Sequence, residues 1–407
     1  MSEYDSSRQP GKNSEASASG VMPDMPGTKA AATRGGTIAA LGLLIFMLLG
    51  LGLNTRAWLD GQLPDALPTL NSTQWLNGAA GRAIAAELAQ TPLPQMAARA
   101  QRVLGWWLVG DLGPQVRQGC PGWLFLAEEL GEPDGGLAAL AQRVQTLAAL
   151  EQKLAQRGVR LVVAVVPDKR RMAAAYLCGL APLHGNTDRT LAWRAAMQRA
   201  GVAALDLGVP LQALGAEAFQ RSDTHWSEAG AHRAAQAIAE AVRANGTAVP
   251  GPSQPLQILP GTPVSRAGDL VRLAGLDWLP QDWLPAIDEL PGTRFQAVPQ
   301  AAGETLLPAA EQDDLFGDSG LPAVVLLGTS YSRNANFAEY LALELGTPVV
   351  NQALDGGGFS GAASAYFAGA AFGELPPALI IWEVPERYLF APLAQDQDIH
   401  LRPPLVK

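Results

Sequence analysis

Two short stretches hold the residue types that nucleophilic acyl chemistry needs. In Ser222-Asp-Thr-His-Trp-Ser-Glu-Ala-Gly230, Asp223 and His225 stand two residues apart, just before a helix that Ser227 can cap. A carboxylate there can orient one imidazole nitrogen and leave the other free as a base. In Val324-Val-Leu-Leu-Gly-Thr-Ser-Tyr-Ser332, an apolar strand ends at Gly328 and a helix resumes near Asn334. Ser330 then sits on a tight strand-to-helix turn with its hydroxyl at the carboxyl edge of a sheet, where a nucleophile belongs. Each stretch alone also has a plainer reading. An Asp before a helix serves the dipole, a lone His is commonly structural, and a Ser at such a turn caps the helix. The Gly-x-Ser-x-Gly elbow is missing, because Ser332 occupies the place of its second glycine. Together the stretches describe a serine triad, since Ser330, His225 and Asp223 would all lie at strand ends of one sheet and converge. The chain has four histidines, His184, His225, His232 and His400, so the choice of base is short. Trp226 reads as a core aromatic or a sugar-stacking platform, with the core favoured. The run Lys169 to Arg171 reads as an anion contact or a solvated face, with the solvated face favoured.

The elements that must position these residues alternate. Val159 to Val166 is an unbroken branched run, as in a strand covered on both faces. Gly136 to Arg157 precedes it with an apolar helical stripe at Leu140, Val144, Leu147 and Leu154. A helix near Leu191 to Ala200, a strand at Val202 to Leu207 and a helix at Glu228 to Arg243 follow. Strand Ala323 to Leu327, helix Asn334 to Leu345, strand Pro348 to Asn351, helix Gly361 to Phe372 and strand Ala378 to Trp382 complete the series, with a short strand at 122–126 upstream. Such alternation predicts a doubly wound α/β sheet. Residues 245–321 are rich in Pro, Gly and Gln and read as an insertion, or a cap over one sheet edge.

The 407 residues, 48% hydrophobic and 16% charged, exclude a disordered chain and a small stapled scaffold. A formal charge of −9 gives no counterion-release drive toward phosphates, so a nucleic-acid partner is not expected. Thr37 to Leu53 is an uncharged, proline-free run that spans roughly 25 Å as a helix, which predicts a transmembrane anchor. Cations at Arg8, Lys12, Lys29 and Arg34 lie before it, offset by Glu3, Asp5, Glu15 and Asp24, so a cytoplasmic amino terminus is favoured with modest force. This divides the chain into a cytoplasmic disordered segment (1–36), the anchor (37–53), a helical leader (54–118) and a catalytic domain (119–407). Cys120 and Cys178 lack zinc-site spacing and either form one bridge or remain thiols; export makes the disulfide permissible. No metal and no cofactor are expected.

Asp223-Thr-His-Trp226, Gly328-Thr-Ser-Tyr-Ser332 and Trp382-Glu-Val-Pro-Glu-Arg-Tyr388, with Gly122-Trp-Leu-Phe125 and Gly268-Asp-Leu270, resemble the alginate O-acetyltransferase family of SGNH-like periplasmic proteins. The resemblance covers most of 119–390 and implies an SGNH-hydrolase fold with permuted motif order, the Asp-x-His segment preceding the serine. Carried over residue by residue, Ser330 is the nucleophile, His225 the base and Asp223 its orienting carboxylate. The Ser330 amide is one oxyanion donor, and the loop from Asn351 to Gly358 stands where such enzymes keep another, which marks Asn351 and Gly357; a plain turn is the alternative. Tyr331, Trp226 and Arg387 are further substrate-binding candidates. Arg387 either meets a carboxylated sugar or pairs with Glu383 or Glu386. The asparagine-bearing block of the SGNH pattern is not recognisable, and Trp382 to Arg387 stands in its position. Since the chain ends about twenty residues beyond Arg387, the resemblance points to the membrane-anchored type without a carbohydrate-binding module.

The implied function is transfer of acetyl groups to hydroxyls of an exported polysaccharide through an acetyl-serine. The implied partners are a membrane-bound O-acyltransferase supplying acetyl, the exopolysaccharide acceptor and other polysaccharide secretion proteins. An acetylesterase with the same triad, and a non-catalytic polysaccharide-binding subunit of a secretion complex, are the alternatives. The implied location is the inner membrane, with the catalytic domain in the periplasm.

Overall fold

The computed structural model describes residues 34–61, 72–131, 133–180, 188–244, 249–298 and 323–403. The segment 1–33 and His184 lie outside the described residues. The chain divides into two units, Met1–Met96 and Ala97–Lys407.

In the smaller unit, the apolar run forms part of a helix, Arg34–Leu59, of which Gly36–Arg56 is long and apolar enough to cross a membrane. The helix overruns the uncharged stretch at both ends, since no proline interrupts it before Gly61. Leu43, Phe46 and Leu51 on its surface are exposed, unlike a buried core helix. Helices Ser72–Leu76 and Ala79–Ala89 follow.

The larger unit has eleven strands among the described residues. β1 (Val116–Gln118) and β2 (Leu124–Leu126) form an antiparallel hairpin; β3 (Arg160–Val166) and β4 (Ala204–Asp206) follow. β5 (Leu256–Leu259), β6 (Val264–Arg266), β7 (Asp288–Leu290) and β8 (Arg294–Ala297) come next. β9 (Val324–Leu327), β10 (Val349–Asn351) and β11 (Leu379–Pro385) complete the chain. The central sheet is parallel with order β10-β9-β11-β3-β4. Its strands are predominantly apolar because both faces are covered, and β9 is wholly so; β11 carries one buried acid, Glu383. Val163, Val165, Leu327, Ile380, Trp382 and Val384 join a core with helices Gly136–Ala155, Arg189–Ala200 and Gly361–Ala368. The alternate residues Ala164, Val166, Val324, Leu326, Leu379 and Ile381 join the opposite core with helices Glu228–Ala244 and Phe337–Leu345. The expected doubly wound sheet is therefore formed.

Several boundaries differ from the sequence reading, each for a local reason. The strand at 122–126 belongs to the β1–β2 hairpin, not to the main sheet. Ser330–Arg333 is a 3-10 turn, and positive φ at Ala335 and Asn336 (55° and 54°) separates it from the helix that begins at Phe337. Extended backbone at Gly369 splits the helix expected over Gly361 to Phe372. The larger unit starts at Ala97 rather than at 119, because Leu112, Val116 and Leu124 share a core with Leu270, Val271 and Leu276. The described part of the insertion is thus packed into the unit, with β5 pairing β8 and β6 pairing β7.

Cys120 and Cys178 are joined by a disulfide, with 58 residues of sequence separation. Loop closure of that size stabilises the fold by about 4 kcal/mol through the unfolded chain. The non-reduced protein should show no alkylatable thiol, and reduction should lower its unfolding free energy by a comparable amount. Two free thiols in protein isolated from cells would contradict the bridge.

Candidate active site

β9 carries four buried apolar residues and delivers the chain at Gly328 to the carboxyl edge of the sheet. The turn that follows is shaped by Glu383, from the neighbouring β11. Its carboxylate accepts the Thr329 N–H (2.7 Å), the Thr329 hydroxyl (3.1 Å) and the Ser332 hydroxyl (3.0 Å). Burial raises the Glu383 carboxyl above its ordinary value. A Cβ on Gly328 would lie 2.3 Å from Ser332 Oγ and 2.5 Å from Glu383 Oε2, so only glycine lets the carboxylate reach the turn. Ser330 emerges half-buried, as the sequence reading places it.

Asp223 and His225 reach Ser330 by a different route from the one expected. They are not at strand ends of the central sheet but on a loop closed by a bridge between Phe219 and Trp226. Gln220 N–H donates to His225 O (3.1 Å), and the Tyr331 hydroxyl donates to Thr224 O (2.6 Å). His225 Nε2 lies 2.7 Å from Ser330 Oγ, and Nδ1 is hydrogen-bonded to Asp223 Oδ1. An ionised carboxylate only accepts, so Nδ1 carries the proton and Nε2 is left to accept from the serine hydroxyl. Burial pushes the Asp223 carboxyl up, but the hydrogen bond from His225 and the backbone N–H groups of Asp269 and His225 outweigh it, holding Asp223 well below the usual carboxylate range. The structure thus brings Ser330, His225 and Asp223 into one hydrogen-bonded chain.

The sequence reading missed the carboxylates that hold this loop from the insertion. Asp288 accepts the N–H of Arg221 (2.6 Å), the N–H of Ser222 (2.7 Å) and the Ser222 hydroxyl. Asp269 donates its N–H to Asp223 Oδ2 (2.9 Å) and accepts from Thr224 N–H (2.7 Å) and Oγ1 (2.6 Å). Gly268-Asp-Leu270 was visible as a motif, but nothing in its spacing assigns it to the loop 45 residues upstream. A Cβ on Gly268 would sit 2.4 Å from Ser222 O, so the two segments touch through the missing side chain. Asp223, His225 and Asp269 offer metal-type ligand atoms within 4.8 Å of one another. Both carboxylates already accept hydrogen bonds through each oxygen, and His225 Nε2 faces Ser330, so the cluster is satisfied as a hydrogen-bond relay.

A cavity of about 480 Å³ opens on the relay; Asp223, His225, Asp269, Ser330, Asn334 and Gly356 line it. Among the described residues, the N–H groups of Ser330 and Gly356 have no protein acceptor. Asn351 and Gly357 do not line the cavity. Asn351 spends its side chain on Ser332 O and the Ala353 N–H, and the Gly357 N–H donates to Leu354 O. Trp226 is a core residue packed against Phe337 and Tyr331, so it offers no face to a sugar. Tyr331 is likewise fully buried, its ring edge-on to His225 at 4.8 Å, and burial raises its hydroxyl well above the ordinary value.

Two basic residues are corrected. Lys169 is 0% exposed rather than on a solvated face; its Nζ donates to the carbonyls of Leu124 (2.6 Å), Arg221 (3.0 Å) and Asp223 (2.9 Å). Arg387 is buried and pairs with Glu129 (3.1 Å) rather than with Glu383 or Glu386. Burial and the Asp168 charge raise Glu129 from 4.5 to about 7, against the pull of Arg387 and Lys169. A raised carboxyl binds extra protons in the folded state, so its contribution to stability is full below 4.5 and lost as pH rises through about 7. Glu129→Gln, which keeps an acceptor for Arg387, should flatten the fall in denaturation midpoint across that window. An unchanged slope would assign it to other groups.

The family model described as the SGNH hydrolase-like domain of acetyltransferase AlgX matches residues 116–386. The probable alginate O-acetylase AlgJ of Pseudomonas putida is 33% identical over 346 residues, covering 84% of this chain and 87% of the relative. This chain belongs to the AlgX family of SGNH-hydrolase-like acetyltransferases. The AlgJ of Pseudomonas aeruginosa is 32% identical over 88% of this chain and 90% of its own length. The solved O-acetyltransferase domain of Pseudomonas putida AlgJ superposes with a TM-score of 0.58 at 32% identity, covering 69% of this chain and 94% of that domain. The family's fold is the one in which the relay is embedded here.

Proposed function

We propose that the protein transfers acetyl groups to hydroxyls of an exported polysaccharide through an acetyl-Ser330 intermediate. The observation that carries this reading is the Ser330–His225–Asp223 relay opening on the cavity in an acetyltransferase fold. His225 Nε2 takes the Ser330 proton as Oγ bonds to the acetyl carbonyl carbon, whose π electrons move to oxygen. The free N–H groups of Ser330 and Gly356 supply the donors for that oxyanion. Collapse expels the donor's leaving group with the proton from His225, and a sugar hydroxyl attacks the acetyl-serine in the reverse sense. AlgJ relatives named as alginate O-acetylases support an alginate-like acceptor and, with relatives named for alginate biosynthesis, a setting among polysaccharide biosynthesis proteins.

In this reading the acetyl donor is a membrane-bound O-acyltransferase. The apolar helix anchors the chain in the inner membrane, residues 1–36 are cytoplasmic, and the catalytic unit lies in the periplasm, where the Cys120–Cys178 disulfide persists. Incubating the full chain with an acetyl ester and oligosaccharides of several classes tests the proposal. Uronate oligomers should divert acetyl from water to sugar, read as acetylated oligomer by mass spectrometry. Turnover with acetate as the sole product, whatever the acceptor, would make it an esterase; no turnover at all would favour a binding subunit.

A further inference from the structure

We propose that Asp269 is the second carboxylate of the catalytic imidazole, a positioning residue that fixes Asp223 and Thr224 and sets its negative charge beside His225 as the imidazolium forms. The inference rests on the triad reading above and adds a residue to it from the insertion. Asp269 Oδ2 lies 3.8 Å from His225 Nδ1, and the Thr224 hydroxyl sits between them, 2.6 Å from Oδ2 and 3.3 Å from Nδ1. The Asp269 N–H occupies Asp223 Oδ2, while Oδ1 takes the His225 N–H and ring proton. Asp223 therefore cannot rotate without breaking its bond to Asp269.

The base of this arrangement is rigid. Helix Asp269–Leu273 buries Leu270 and Val271 in the core shared with Leu112, Val116 and Leu124, and the Leu270 N–H donates to Ser222 O (3.2 Å). The charged groups around His225 are Asp223 and Asp269, with Arg266, Arg272, Asp277 and Asp355 on the cavity lining and Arg387 behind the Tyr331 ring. With the imidazole neutral, two like charges flank it. Proton transfer from Ser330 to Nε2 makes the ring a cation beside both carboxylates, and the attraction to each offsets their mutual repulsion. Burial and the Asp223 charge raise Asp269, the strain expected of a carboxylate held beside another.

Asp269→Asn keeps the acceptor for the Thr224 N–H, removes the charge, and puts an NH₂ where Oδ2 accepts, so the Thr224 hydroxyl must turn to accept from it. In the full chain, kcat for an acetyl ester should fall about tenfold with KM unchanged, because the lost interaction is made only in the transition state. The acidic limb of the kcat/KM profile should move to lower pH by about one unit, as the imidazolium loses a neighbouring anion. Thr224→Val, which removes the hydroxyl held by Asp269 Oδ2 beside His225 Nδ1 while the main-chain N–H at 224 stays on Asp269 Oδ1, should move the limb the same way by less; it also keeps the test usable if Asp269→Asn does not fold. Asp269→Glu should restore the limb. An unshifted limb and wild-type kcat in the folded variants would overturn the assignment. Ser330→Ala, measured alongside, separates the failures: activity retained there defeats the triad itself, whereas activity lost there with Asp269→Asn at wild-type level defeats only the role of Asp269.

Discussion

Ser330→Ala is expected to lower acetyl-ester turnover by about a thousandfold or more while leaving the unfolding free energy within about 0.5 kcal/mol of wild type. The hydroxyl stands at the mouth of the cavity and meets one partner through its side chain, His225 Nε2, so the substitution removes chemistry and little packing. His225→Ala should cost nearly as much, since the serine then has no base to take its proton. The double variant should be hardly worse than either single, because residues acting as one unit are non-additive. Asp223→Asn should also be severe, as an amide can present its NH₂ to Nδ1 and hold the wrong tautomer. A sulfonyl fluoride or phosphonate should label Ser330 and no other serine. Wild-type turnover by Ser330→Ala, with polymer acetylation intact in cells, would overturn the triad.

Lys169→Met should destabilise the fold and loosen the loop that carries Asp223 and His225. The ammonium is enclosed, 5.4 Å from the Trp123 ring centroid and 5.3 Å from that of Phe125, and among the described residues it meets no carboxylate within ion-pair distance. Its three protons satisfy the carbonyls of Leu124, Arg221 and Asp223, which tie the hairpin to the triad loop. Removing it orphans the buried carbonyls of Leu124 and Asp223, at about 1–3 kcal/mol each, while the Arg221 carbonyl keeps the Leu124 N–H (3.0 Å). The relief of burying one charge fewer offsets part of this: burial lowers Lys169 from 10.5 to about 8, an effect worth roughly 3 kcal/mol. A net loss of about 1 kcal/mol remains, read as a shift in denaturation midpoint at constant slope, together with reduced turnover because the Asp223 main chain is released. A Met variant as stable as wild type would show that the carbonyls find other donors.

The order of strands and helices, the anchor run and the identities of Ser330, His225 and Asp223 were legible in the chain itself. Each of these rests on local pattern: unbroken branched runs mark two-sided burial, a charge-free run marks an apolar helix, and two motifs carry the chemistry within a few residues of sequence. Contacts between distant segments left no such trace. Asp269 and Asp288 are ordinary acids in a Pro- and Gly-rich stretch, and only folding brings them 45 and 66 residues back to the triad loop. Lys169 looked solvated because three adjacent cations usually are; the hairpin packed above it supplies the carbonyls and rings that make burial tolerable. Arg387 found Glu129, 258 residues upstream, rather than the acids beside it. The loop from Asn351 to Gly358 reaches the cavity through Gly356 rather than through the expected Gly357, whose N–H is taken by one turn hydrogen bond to Leu354. Sequence determined which groups could react and which elements would carry them. Tertiary structure decided which charges are buried and what satisfies them, because a buried polar group is tolerated only where partners from elsewhere in the chain converge on it.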